Sequence, residues 1–158
     1  MWHPINPHIY SYLLRSYQQQ HPEYAWCLDL NPSLDEQDTQ CYIHVPSGMC
    51  CYVKWDKVTT LLIGGVFKPC PEFMPGSAKA ILELVQSLNP VDVVLYCYDV
   101  LQPLWESLGF EVYHTCKFDP ALANHLYKPE YGTPDFLFMV HFLEEYKRGN
   151  FKRAYHRA

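Results

Sequence analysis

A run of small residues, Gly76-Ser77-Ala78, opens a predicted helix after a long apolar strand and could bind an anion. The first turn of a helix presents unpaired backbone N–H groups and a partial positive charge. Small residues there let an anion, most often a phosphate, approach the backbone closely. Lys79 follows and could balance the charge of a diphosphate, or it could be a solvated helix residue. A glycine at such a junction is also a common turn residue, so this run alone does not establish a ligand site.

Seven cysteines and eight histidines show no metal-binding pattern. The cysteines are odd in number, include no Cys-x-x-Cys pair and lie mostly in apolar runs, which is typical of reduced core thiols. The histidines form no His-x-His or His-x-x-x-His pair, so no metal site is predicted. Cys97 ends a buried strand and could act as a nucleophile, although its apolar surroundings favour a structural thiol.

The helix that begins after Gly76 lies between two predicted strands in the sequence. Val58–Lys68 is a long apolar run, as expected for a central strand buried on both faces. Gly64-Gly65 inside it predicts a bulge or a close approach of backbone. Ser77–Leu88 is a helix whose apolar stripe comprises Ala78, Ile81, Leu82, Val85 and Leu88. Val91–Tyr98 is a second buried strand, and a strand–helix–strand unit of this kind forms a right-handed parallel crossover.

The remaining elements place this unit in a single domain. Asn6-Pro7 begins a helix that ends near Gln19–His21, and a short helix covers Leu101–Leu108. Further strands are predicted at Tyr24–Leu30, Thr39–Val45, Met49–Trp55, Phe110–Phe118 and Asp135–Phe142. This order predicts an α/β fold with a mixed sheet and helices on both faces. The domain covers all 158 residues, with a variable N-terminal segment (1–38) and a basic C-terminal tail (143–158).

Composition indicates a folded, soluble protein that we expect in the cytoplasm. Hydrophobic residues make up 49% of the chain and charged residues 18%, which is enough for a sizeable core. No signal peptide or membrane-spanning run of roughly 20 apolar residues is predicted. The net charge of −5 opposes nucleic acid as the main partner. The tail leaves nucleic acid open, because the residues after Glu145 include no acidic one and hold five of the 12 basic residues: Lys147, Arg148, Lys152, Arg153 and Arg157.

Motifs between Thr39 and Phe142 resemble the GCN5-related N-acetyltransferase (GNAT) superfamily. LWESLGF (Leu104–Phe110) is similar to the family's "LYEKLGF" helix, and FMPGSA (Phe73–Ala78) stands where the family has a Q/R-x-x-G-x-G/A loop. The resemblance implies a mostly antiparallel mixed sheet with a central splayed parallel pair that holds the pantetheine arm of acyl-CoA. The chain also resembles small bacteriophage-encoded GNAT-like proteins, a group close to the Mom-type DNA modification proteins, in three segments taken together: Ser47–Phe67, Leu95–Pro120 and the closing YGTPDFLFM.

The resemblance also implies roles for individual residues. Backbone N–H groups of the Val66–Lys68 stretch (Val66, Phe67 and Lys68) would polarise the thioester carbonyl of the donor. The pyrophosphate of the donor would contact Pro75, Gly76, Ser77, Ala78 and Lys79. The candidate general acids are Tyr98 and Tyr113, and the candidate general bases are His44 and Glu72.

Three positions differ from the family pattern. Phe73 replaces the Gln or Arg of the pyrophosphate loop, and Tyr98 replaces an Asn that often ends the second parallel strand. Trp105 replaces the Tyr that protonates the leaving CoA thiolate, and an indole N–H is not an acid at neutral pH. Trp105 is therefore assigned to the cofactor site rather than to catalysis, and cofactor binding is better supported than catalysis.

These residues predict an N-acyltransferase that moves an acetyl group from acetyl-CoA directly to an amine of a small molecule or protein. One alternative is a Mom-like enzyme that modifies adenine in phage DNA, which the basic tail favours. Another is a catalytically silent GNAT-fold protein that binds a host protein, which Trp105 favours. The acceptor would be chosen by residues 1–38 and 121–133, and the aromatic content leaves room for a homodimer.

Overall fold

A single mixed sheet organises the computed structural model, which describes residues 1–28, 38–45, 47–56, 59–68 and 77–142. The strands are β1 (Trp2–Ile5), β2 (Thr39–His44), β3 (Cys50–Asp56), β4 (Thr60–Phe67), β5 (Asp92–Tyr98), β6 (Glu111–Cys116) and β7 (Phe136–Phe142). Their order across the sheet is β1-β2-β3-β4-β5-β7-β6. The β4–β5 pair is parallel, and the other neighbours are antiparallel. The predicted mixed sheet is confirmed.

Helices lie on both sides of this sheet, also as predicted. They are α1 (Pro7–Gln20), α2 (Pro22–Ala25), α3 (Ser77–Leu88) and α4 (Gln102–Ser107). Asn6 caps α1, since its side-chain oxygen accepts a hydrogen bond from the backbone N–H of His8 at 2.7 Å. Short 3₁₀ turns occupy Asp99–Leu101, Pro120–Leu122 and Pro129–Tyr131. None of the described helices is long and apolar enough to cross a membrane.

Each face of the sheet has its own core. On one side, here called the α3 face, α3 and α4 pack Ile81, Leu84 and Trp105 onto inward-facing residues of the central strands. On the other side, the α1 face, α1 packs Tyr10 and Leu14 onto β2, β3 and the end of β4. The stripe that predicted α3 therefore points at the larger core, where each fully buried aliphatic side chain contributes about 1.5–3 kcal/mol.

The two parallel strands pair along only part of their length. Pairing runs from Thr60–Asp92 to Ile63–Leu95, whereas β4 continues to Phe67 and β5 to Tyr98. The strands diverge toward their carboxyl ends, which is the splayed pair that the resemblance implied. The space between residues 64–67 of β4 and 96–98 of β5 is called the β4–β5 gap below.

A β-bulge interrupts β4 at the start of this gap. Between the pairs Tyr52–Gly64 and Cys50–Phe67, β3 advances two residues while β4 advances three. Gly65 has φ +55, and its carbonyl accepts a hydrogen bond from the Tyr10 hydroxyl at 2.7 Å. A bulge or a close approach of backbone was predicted for Gly64-Gly65; the bulge is present, and the group that approaches the Gly65 backbone closely is the Tyr10 side chain.

Two local predictions were wrong or incomplete. Tyr24–Leu30 was predicted as a strand, but Pro22–Ala25 is a helix and residues 26–28 form a turn. Pro22 has its φ fixed for the first helical position, which outweighs the aromatic β propensity that follows. The strand Trp2–Ile5 was missed, because four residues containing a proline form an edge strand only through pairing with β2.

Substitution of Gly65 tests the packing around the bulge. Gly65→Ala should lower the free energy of unfolding by about 3 kcal/mol, because alanine is strained at positive φ and its Cβ would overlap the Tyr10 hydroxyl. In a Tyr10→Phe background the overlap with the hydroxyl is removed, while the close contact with the Tyr52 ring and the strained φ remain, so the same substitution should cost less, about 2 kcal/mol. Urea denaturation of the four proteins measures this, and equal losses in both backgrounds would contradict the close approach.

Candidate functional site

The β4–β5 gap opens at the end of the sheet where α3 begins. The chain leaves β4 at Phe67, and α3 starts at Ser77 before returning to Asp92 at the start of β5. The amino end of α3, with its unpaired N–H groups, therefore lies at the same end of the sheet as the gap. Ser77 and Ala78 begin the helix as predicted, and Lys79 is exposed on its first turn. Glu72, Phe73, Pro75 and Gly76 lie outside the described residues, as does the basic tail.

Val66 and Phe67 lie on the β4 side of the gap, and Lys68 directly follows the strand. Phe67 is buried on the α1 face, where its ring stacks on Tyr17 with centroids 5.3 Å apart. Val66 packs against the α3-face core, and Lys68 is partly buried. Since the Phe67 side chain is occupied by the core, this residue can offer a ligand only its backbone.

Tyr98 ends β5 on the opposite side of the gap. Its ring centroid lies 5.3 Å from that of Trp26 and 5.3 Å from that of Phe136. Burial, with a smaller effect of nearby Cys27, raises the pKa of Tyr98 above its ordinary value. The hydroxyl carries its proton at neutral pH, as an unperturbed tyrosine also does, so it can donate a hydrogen bond or, to a strongly basic leaving group, a proton.

Tyr113 and His44 are not brought to the gap. Tyr113 is on β6, and β7 separates that strand from β5. Its ring meets the Phe138 ring edge-on, with centroids 6.0 Å apart, and both rings pack against the buried Val94 and Val140. His44 ends β2, and β3 separates that strand from β4. Of these three candidates, only Tyr98 adjoins the β4–β5 gap directly.

His44 belongs to a polar cluster beside α3. Its Nδ1 lies 2.7 Å from the Ser47 hydroxyl, and its Nε2 lies 4.0 Å from a Glu83 carboxylate oxygen. The Trp2 indole packs on the imidazole at 5.1 Å and donates a hydrogen bond to the Ala80 carbonyl at 2.6 Å. Burial and the Met1 ammonium group lower the pKa of His44, and Glu83 opposes this shift.

Trp105 and Cys97 are core residues. Trp105 is 4% exposed and packs edge-on against Phe110 at 5.4 Å, so its indole fills the space beneath α4. Burial, then Asp99, raises the pKa of Cys97 to about 12, and its thiol donates to the Met139 sulfur at 3.6 Å. A thiol with that pKa is not a nucleophile at neutral pH, which supports the structural interpretation. No cluster of His, Cys, Asp or Glu among the described residues could hold a metal ion.

An aromatic cluster next to Tyr98 was not predicted from the sequence. Trp26 contacts Tyr127 with ring centroids 4.9 Å apart and Phe118 at 6.5 Å. The Asn124 side-chain amide donates to the Trp26 carbonyl. These contacts join the N-terminal segment to the loop between β6 and β7 at the carboxyl end of β5. No spacing pattern connects residues about 100 positions apart in the sequence, so only the fold shows this contact.

Comparison with known proteins establishes the fold. No family model and no curated protein matches the chain. A spermidine N-acetyltransferase from Vibrio cholerae, solved with CoA and spermine, matches with TM-score 0.63 and 11% identity over 92% of this chain and 96% of that one. An acyl-CoA N-acyltransferase from Pseudomonas aeruginosa matches with TM-score 0.61 and 15% identity over 89% and 99%. A GNAT family acetyltransferase from Elizabethkingia anophelis, with acetyl-CoA bound, matches with TM-score 0.59 and 11% identity over 90% of this chain and 97% of that one. The chain has the GNAT fold.

The environment of His44 predicts a pH dependence of stability. Because its pKa is lowered on folding, the unfolded chain takes up a proton first as the pH falls below about 6.5. Protonation of His44 therefore favours the unfolded chain, and acidification lowers the free energy of unfolding. We expect the melting temperature to fall less between pH 7.5 and 5.5 in His44→Gln than in the wild type. Glu83→Gln should make the fall steeper, since Glu83 opposes the shift; identical profiles for all three proteins would contradict this.

Proposed function

We propose that this protein is an acyl-CoA-dependent N-acyltransferase that uses acetyl-CoA and transfers the acyl group directly to an amine. The observation that supports it most is the β4–β5 gap, with a bulged strand on one side and the amino end of α3 at its mouth. Two of the proteins with the same fold were solved with CoA or acetyl-CoA bound. A narrow space edged by backbone suits the amide-containing pantetheine arm of CoA.

The donor would be held at two places. The pantetheine arm and thioester would lie in the gap, where backbone N–H groups at Val66–Lys68 polarise the carbonyl. The pyrophosphate would lie against the amino end of α3, with the N–H groups of Ser77 and Ala78 toward its oxygens and Lys79 balancing charge. The preceding Pro75 and Gly76 are part of the same proposed contact.

Transfer requires a neutral amine, a polarised carbonyl and a proton for the leaving thiolate. The amine nitrogen attacks the thioester carbon, the C–S bond breaks, and the amine's surplus proton leaves to a base or to water. Tyr98 is the proposed acid for the CoA thiolate, because it ends β5 beside the gap and is protonated at neutral pH. His44 and Glu72 remain proposed bases; from β2, His44 would act through intervening water.

The proposed acceptor is an amine that reaches the gap past the aromatic cluster of Trp26, Tyr98 and Tyr127. These rings lie at the carboxyl end of β5: Trp26 and Tyr127 come from the two segments expected to choose the acceptor, and Tyr98 ends the strand itself. Trp26 is only 4% exposed, so the rings that could attract an ammonium group by cation–π interaction are the partly exposed Tyr98 and Tyr127. Spermine accompanies CoA in one protein of this fold, so polyamines are suitable first acceptors to test.

A catalytically silent GNAT-fold protein is the second candidate. The observation that favours it is the burial of Trp105, which stands at the family's acid position and is only 4% exposed. The two candidates differ in one reaction: an enzyme releases the free CoA thiol from acetyl-CoA when an amine is present, and a silent protein does not.

Binding of acetyl-CoA tests the cofactor site. A ligand at 100 times its Kd stabilises a protein by about 2.7 kcal/mol, so the melting temperature should rise by about 5–10 °C. Ser77→Glu should weaken this binding by about tenfold or more, because the new carboxylate repels the pyrophosphate. The same carboxylate favours the helix amino end, so the variant should remain folded. Gln86→Glu, exposed at the other end of α3, is the matched control and should bind like the wild type.

Each result separates the candidates. No change in melting temperature with acetyl-CoA, or equal binding by Ser77→Glu and Gln86→Glu, would contradict the proposed cofactor site. Normal binding without thiol release in the presence of spermine, spermidine or lysine peptides would favour the silent protein.

A further inference from the structure

The Tyr10 hydroxyl is the polar group of α1 that reaches the bulge on β4. It donates a hydrogen bond to the Gly65 carbonyl at 2.7 Å across 55 sequence positions. Tyr10 is fully buried, at 0% exposure, so this hydroxyl has no access to bulk water. A buried hydroxyl usually serves stability, but its partner here is the peptide where β4 leaves its pairing with β5.

The neighbouring residues hold this contact in place. The Tyr10 ring packs edge-on against Phe67 at 5.6 Å and against Tyr52 at 6.1 Å. A Cβ atom on Gly65 would overlap the Tyr10 hydroxyl, and one on Gly64 would overlap the Tyr52 ring. Burial, then Tyr52, raises the pKa of Tyr10 far above its ordinary value, so the hydroxyl remains a donor at any pH used for assays.

The planar peptide transmits the effect of this bond to the next residue. In a trans peptide the C=O and N–H groups point in roughly opposite directions. Because the Gly65 carbonyl is held toward the α1 face, the Val66 N–H is directed toward the α3 face. Acetyl-CoA whose pyrophosphate is bound at the amino end of α3 would enter the gap from the α3 face. A hydrogen bond accepted by the carbonyl also polarises the peptide and strengthens its N–H as a donor.

We propose that Tyr10 is a positioning residue for acyl transfer: its hydroxyl fixes and polarises the Gly65–Val66 peptide so that the Val66 N–H meets the thioester oxygen. This inference rests on the proposed function. Tyr10 itself does not touch the donor. Tyr10 links α1, on the face of the sheet opposite α3, to the backbone N–H that would polarise the thioester.

The carbonyl carbon of bound acetyl-CoA reports this contact. With ¹³C at the thioester carbonyl, NMR should show a downfield shift on binding to the wild type, because a hydrogen bond polarises the C=O. Tyr10→Phe keeps the ring and removes the donor; it should lose more than half of that shift while the Kd for acetyl-CoA changes by less than about threefold. Tyr12→Phe, on the same helix and 71% exposed, is the control and should retain the full shift.

The outcomes distinguish this inference from the function on which it rests. If the wild type does not bind acetyl-CoA, the proposed function fails. If it binds and Tyr10→Phe retains the full shift, the function stands and the role of Tyr10 is overturned. Circular dichroism checks that the variant folds. If it does not, 3-fluorotyrosine at position 10 replaces it: its more acidic hydroxyl is a stronger donor, so the shift should increase, and an unchanged shift would overturn the proposal.

Discussion

The separation of β4 from β5 is the constraint on which the rest of this structure depends. Each strand is held on its outer side: β5 pairs with β7 along its whole length, from Asp92 to Tyr98, and β4 pairs with β3 from Thr60 to Phe67. The two halves of the sheet share only the short parallel stretch that ends at Ile63–Leu95. Backbone beyond that point must find other partners, since unpaired buried peptide groups are costly. Beyond Ile63–Leu95 the facing edges of β4 and β5 therefore present backbone groups that do not pair with each other.

The two cores explain why the separation persists. The α3-face core runs beneath both halves of the sheet and joins them through residues such as Leu61 and Val93. The α1 face instead has two separate clusters, one around Tyr10 and Phe67 and the other around Val94 and Val140. One continuous core therefore ties the halves together on the α3 face, whereas on the α1 face the link among the described clusters is Leu62 of β4, which packs with Val94 and Val140. That asymmetry suits a site at which a cofactor and an acceptor approach from opposite faces.

Sequence patterns predicted elements whose signal is local. The stripe and small-residue start of α3 gave its bounds, Ser77–Leu88, because a helix buries one face at fixed spacing. The Gly64-Gly65 pair predicted a bulge or a close approach, since a glycine inside a strand often marks one or the other. Features that depend on distant contacts could not be predicted: the edge strand β1 exists through pairing with β2, and the Tyr98 surroundings through Trp26 and Tyr127. Family resemblance assigned Trp105 to the cofactor site from its position in the sequence alone, but the side chain is 4% exposed and fills the core.

The proposed cofactor site is the β4–β5 gap. Amide chemical shifts, followed by ¹H–¹⁵N NMR as CoA is added, test this site most directly because they report each backbone N–H separately. If CoA binds in the gap, the largest changes fall on residues 64–68, on the first turn of α3 and on residues 96–98 at the end of β5. Changes confined to other parts of the sheet, or none at saturating CoA, would contradict it.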